Sequence, residues 1–137
     1  MVSKMSGKLT EKIPFYGRVT ERAKELGKRV EFMKDAATYV YSFCDDVDGL
    51  GIAAFEMKPN GRFELTTKTN SVIYCTEGGL IIRDLDTDRC DAIYPGDMVW
   101  ISKGTRIKAR TDPTVGFKCI FFTKPPLREV YPELASS

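Results

Sequence analysis

The stretch GDMVWISKGTRI at residues 96–107 decides the fold. A Gly-Asp turn leads into the apolar run MVWI. A Ser-Lys-Gly corner follows, and alternating polar and apolar residues begin at Arg106. A strand, a glycine corner and another strand is antiparallel β chemistry. Reading outward in both directions finds the same pattern. TYVYSFC, LGIAAFEM, RFELTT, SVIYCTEG, GLIIRDL and CDAIY precede the stretch, and RIKAR and GFKCIFF complete the series after it. Turns rich in Gly, Pro, Asp and Asn separate them at 45–49, 58–61, 77–79, 86–89, 95–96, 103–104 and 111–116. About nine short strands at this spacing predict an all-β sandwich or barrel. No helical pattern of useful length interrupts them, which excludes a parallel βαβ sheet.

The flanks differ. RVTERAKELGKRVEFM carries charges at helical spacing and predicts one helix or helical turn within residues 20–28. The end, KPPLREVYPELASS, is proline-rich, and Pro125 with Pro126 stops the last strand because proline cannot donate to a ladder. The predicted organisation is an N-terminal arm at 1–36, a barrel at 37–126 and a C-terminal tail at 127–137. The tail is expected to wrap the barrel or to pack on a second subunit.

A chain of 137 residues supports one domain with a real core. Its 42% hydrophobic and 29% charged content is that of a soluble globular protein. A net charge of +2 is too small to imply nucleic acid. No run approaches the roughly 20 apolar residues of a membrane span. The start MVSKMSGKLTEKIPF lacks a signal-peptide core, so a cytoplasmic location is expected. The most informative count is zero histidines. It removes the commonest metal ligand and every serine–histidine or cysteine–histidine nucleophile system. Cys44, Cys75, Cys90 and Cys119 form no C-x-x-C pair; Cys44, Cys75 and Cys119 lie inside apolar strand-like runs and read as reduced thiols serving as small buried hydrophobes.

Two stretches have the spacing of the two cupin motifs. Gly61 is followed by RFELT, with Thr67 and Thr69 at the positions of the first motif's two histidines; Glu77 and Gly78 fit its closing turn. Ser71 falls at the glutamate position on one count, and Ile73 or Tyr74 on another. Gly96 is followed by DMVWI and SKG, with Ser102 in place of the proline and Ile107 at the last histidine position. The chain thus resembles the cupin superfamily. Among cupins it is most like the ethanolamine-utilisation protein Q (EutQ) type, on DGLGIAAFEM, TEGGLIIRD and GDMVWISKGTRIKARTDPTVGFKCIFFTKPP, over residues 35–126. The resemblance implies an RmlC-like jelly-roll barrel of two antiparallel sheets with a short N-terminal helical arm. Hydroxyls are weak ligands and isoleucine is none, so no transition metal is expected at Thr67, Thr69, Ser71 and Ile107.

Thr67, Thr69 and Ser71 should line the barrel mouth, with Ile73 and Cys75 deeper and Ile107 and Ala109 on a facing strand. Arg62, Glu64, Lys68, Tyr74 and Lys103 either gather at this mouth or lie on outer, solvated faces. At the mouth, Arg62, Glu64 and Tyr74 would join the hydroxyls in a site for a small anion. Trp100 is expected to pack rather than to stack on a ligand.

Two readings of function follow. One is a metal-free module without cofactor that binds a small, anionic metabolite, or an accessory protein of ethanolamine-type metabolism. The other is an enzyme with the acetate-kinase-like phosphoryl transfer that the resemblance implies. That reading needs ATP and Mg²⁺ held by carboxylates, and Glu64 and Asp97 are the nearest candidates. Sugar-nucleotide epimerisation, found in related barrels, needs a histidine base, and a sequence with no histidine argues strongly against it. The expected partners are a small-molecule ligand and a second copy in a homodimer, with no nucleic acid and no membrane.

Overall fold

The computed structural model describes residues 6–10, 13–16, 27–29, 36, 38–47 and 49–131. Strands β1 (Ser6–Thr10) and β2 (Ile13–Tyr16) form a hairpin. Then come β3 (Lys28–Arg29), β4 (Tyr39–Val47), β5 (Leu50–Met57), β6 (Arg62–Thr66) and β7 (Asn70–Gly78). The series ends with β8 (Leu80–Asp84), β9 (Arg89–Ile93), β10 (Met98–Ile101), β11 (Arg106–Thr111), β12 (Phe117–Lys124) and the short helix α1 (Leu127–Val130). All nine runs read from the sequence are strands, β4 to β12. The helical turn expected at 20–28 lies outside the described residues except at its end, where Gly27 is in a bend and Lys28 in a strand. The described parts of the arm are the strands at 6–10, 13–16 and 28–29, the bend at Gly27 and a 3₁₀ position at Ala36.

Two antiparallel sheets face each other. One has the order β10-β7-β12-β5-β4-β3 and the other β6-β11-β8-β9. Alternation sorts the side chains. In β11, Ile107, Ala109 and Thr111 are buried while Arg106, Lys108 and Arg110 are exposed. Phe55, Ile73, Cys75, Phe117 and Cys119 from the larger sheet pack against Leu80, Ile93 and Ala109 from the smaller one. Phe55 and Phe121 stack with ring centroids 4.2 Å apart. The start of the tail belongs to this core, since Leu127 and Tyr131 are buried in it.

Two glycines of the motif frame have steric reasons. Gly78 sits at φ 76°, and a Cβ there would collide with the carbonyl oxygen of Gly116. A Cβ on Gly61 would lie 2.9 Å from the Cα of Ala36.

Candidate functional site

The barrel encloses a cavity of about 50 Å³. Its walls are largely hydrocarbon, with Phe63, Leu65, Ile73, Ile101, Ile107 and Phe121 among them. The polar groups on the wall are Thr67, Thr69 and Ser71, with Lys68 at the mouth. The C-terminal segment closes that mouth. Leu127 and Tyr131 both line the cavity, and the Lys68 ammonium lies 4.8 Å from the centroid of the Tyr131 ring. That is cation–π range.

The hydroxyls are already engaged. Thr67 Oγ1 donates to the Ser102 carbonyl at 2.8 Å and accepts from the Thr105 N–H at 3.0 Å. The backbone doubles this clasp, with Thr67 N–H to Thr105 O and Gly104 N–H to Thr67 O, each 2.9 Å. Thr67 therefore ties the β6–β7 loop to the corner before β11. Thr69 and Ser71, both buried, pair hydroxyl to hydroxyl at 2.9 Å.

Arg62, Glu64 and Tyr74 are corrected by the structure. They do not reach the mouth. Arg62 and Glu64 alternate with the inward Phe63 and Leu65 in β6, so they stand on the outer face. The alternation in RFELT carried that signal. Tyr74 lies between the inward Ile73 and Cys75 in β7 and is 37% exposed. Lys103 is exposed on its turn. Trp100 is corrected too: Val99 and Ile101 take the inner face of β10, and Trp100 is 63% exposed with its Nε1 donating to Ser102 Oγ at 3.1 Å. Lys68 and Tyr131 are the mouth residues that sequence reasoning undervalued or missed. No pattern in the proline-rich tail places Tyr131 there, and only the fold does.

The residues at the metal-ligand positions do not fit a transition metal. Ile107 is 6% exposed and presents hydrocarbon, Thr67 is consumed in its clasp, and Thr69 and Ser71 bond to each other. Among the described residues no three of His, Cys, Asp and Glu cluster as a metal site. Cys75 and Cys119 are cross-strand neighbours and both buried, while Cys90 is exposed. The side chain of Cys44 lies outside the described residues. Burial raises the thiol pKa of Cys75 and raises that of Cys119 well above the ordinary range, and the neighbouring Cys75 adds to the effect on Cys119.

Two facing antiparallel sheets, a frame of glycine corners and an enclosed interior can be compared with known architectures. The Clostridium difficile EutQ protein superposes with a TM-score of 0.68, covering 92% of this chain and 90% of that one at 20% identity. The fold is that of the cupins. A EutQ of Salmonella typhimurium LT2 superposes with a TM-score of 0.63 at 17% identity over 72% of this chain and 78% of that one. A cupin-like protein of Thermotoga maritima gives 0.57 at 13% identity, over 66% and 70%. No family model matches the sequence, and no curated protein sequence matches it. Among the described residues, no helix of this cupin-fold chain is long and apolar enough to cross a membrane.

Proposed function

We propose that this chain is a EutQ-like cupin that works without a metal and binds a short-chain carboxylate in the barrel, as an accessory protein of ethanolamine-type metabolism. One observation carries the reading. Lys68 is the charged residue on a cavity wall that is otherwise hydroxyl and hydrocarbon. A carboxylate at the mouth would meet the ammonium and the Thr69–Ser71 hydroxyl pair, and its alkyl end would meet Ile73, Ile101 and Ile107. At about 50 Å³ the cavity admits only a small ligand, because ligand pockets of drug size run to roughly 300–1,000 Å³. The likeness to EutQ proteins supports the metabolic setting.

Isothermal titration with acetate, propionate and butyrate tests this, with the matching alcohols as controls. Carboxylates should bind and alcohols should not, and Lys68→Ala should weaken binding about tenfold, the loss of one charge-assisted contact. Equal binding of alcohols and carboxylates would refute the reading.

Phosphoryl transfer has less support. Neither Glu64 nor Asp97 lines the cavity, and the Asp97 carboxylate accepts the N–H of Tyr94 at 2.8 Å. Incubation with ATP, Mg²⁺ and acetate, followed for ADP, tests it directly.

The same reading includes a homodimer. Strand β10 is an edge of the larger sheet, and it presents Met98 and Trp100, 62% and 63% exposed, beside Tyr74 and Val72 of β7. The row continues through Ile120 and Phe122 of β12. An apolar face that ends in an edge strand supports pairing with a second copy.

A further inference from the structure

The smaller sheet has a second face, turned away from the cavity, whose charge is unbalanced. Arg62 of β6 and Arg110 of β11 are direct cross-strand partners on this face. Like charges placed directly opposite each other destabilise a sheet. Neither guanidinium has an ion pair or hydrogen bond among the described residues.

Their neighbours differ. Arg83 pairs with Asp88 at 2.8 Å, and Arg106 pairs with Asp86 at 3.2 Å. Lys108 stands opposite Glu64. The Asp112 carboxylate, two residues beyond Arg110, is turned into its own loop, where it accepts the N–H groups of Thr114 and Val115 at 2.8 Å each. Five cations stand against Glu64, Asp86 and Asp88, and the excess of two is the Arg62–Arg110 pair.

This pair opens on a cleft of about 520 Å³, which Lys108, Arg83 and the Asp88 carboxylate paired with Arg83 also line, with Ile81 and Leu85 on its wall. That volume lies in the range of small-ligand sites. We propose that the cleft binds a phosphoryl group, with the Arg62 and Arg110 guanidiniums as its forks. The charge matches: a phosphomonoester carries about −1.5 to −2 near neutral pH. The geometry suits it as well, since planar guanidiniums hold phosphate through paired N–H donors. Ile81, 41% exposed, gives the organic part of an ester an apolar surface to lie on. The site is separate from the barrel interior, because Arg62 and Arg110 point outward from strands whose inward residues line the cavity.

The proposal is tested by thermal shift and titration with inorganic phosphate and with phenyl phosphate, at constant ionic strength set by chloride. Both anions should raise Tm in the unmodified protein. The double variant Arg62→Gln/Arg110→Gln should bind at least tenfold more weakly, and Lys124→Gln on the other sheet should bind as the unmodified protein does. Tighter binding of phenyl phosphate would identify an ester as the ligand, and equal binding would identify free phosphate. An unchanged response in the double variant, a response that chloride reproduces, or binding of oligoglutamate without phosphate would each overturn it. The unliganded stability of Arg62→Gln is a second reading. It should equal or exceed that of the unmodified protein as the repulsion is relieved, and a lower stability would mean that Arg62 serves the fold instead.

Discussion

Lys68 and Tyr131 meet across the barrel mouth, ammonium over ring at 4.8 Å, and so join the β6–β7 loop to the C-terminal segment. The contact makes the tail a plug. Tyr131 and Leu127 supply the apolar closure, and Lys68 keeps one charge beside it. Tyr131→Ala should lower stability by about 2–4 kcal/mol, as expected for loss of a buried aromatic ring, whereas Lys68→Ala should lose less than about 1 kcal/mol. Urea denaturation of the two variants measures both.

The stability of the chain should fall in alkali. Burial raises the Cys75 and Cys119 thiols above their unfolded values, so the folded state keeps protons that the unfolded state releases. This contribution is fully present below the ordinary thiol range and is lost as pH rises through it towards the folded values. The slope is at most about 1.4 kcal/mol per pH unit for each thiol. Unfolding free energies across the alkaline range should show the decline, and Cys119→Ala should flatten it. In the native protein a thiol reagent should modify Cys90 and leave Cys75 and Cys119 untouched until unfolding.

Purified protein should hold far less than one equivalent of iron, manganese, zinc or nickel, and chelator should leave its Tm unchanged. The reason is the donor set: two paired hydroxyls, a third held in a clasp, and the hydrocarbon of Ile107. Elemental analysis checks this, and a stoichiometric, chelatable metal would contradict it.

Strands β4 to β12 were legible because turn residues punctuate them, and a strand such as RIKART alternates so cleanly that its faces can be assigned without a structure. The face of Trp100 was not legible. MVWI is apolar at every position, so period two gives no preference, and only pairing with β7 turns Trp100 outward. The hydroxyl wall was readable from Thr67, Thr69 and Ser71, which keep phase with Phe63 and Leu65. The plug was not, because Tyr131 reaches Lys68 only after the chain has closed the barrel and turned through α1.

A homodimer through the β10 edge should be sensitive to charge. Trp100→Glu with Met98→Glu places two carboxylates on the apolar face, so light scattering at micromolar concentration should show dimers for the unmodified protein and monomers for the variant. A monomeric unmodified protein would contradict the dimer.

The interior itself gives the most direct test of the central claim. Methyl groups of Ile73, Ile101 and Ile107 line the cavity, and their carbon–proton resonances report on anything that enters it. Titration with propionate should shift these three resonances together in saturable fashion, and Lys68→Ala should move the midpoint about tenfold higher. Resonances that stay in place at saturating carboxylate, or that shift equally with and without Lys68, would contradict a carboxylate-binding barrel.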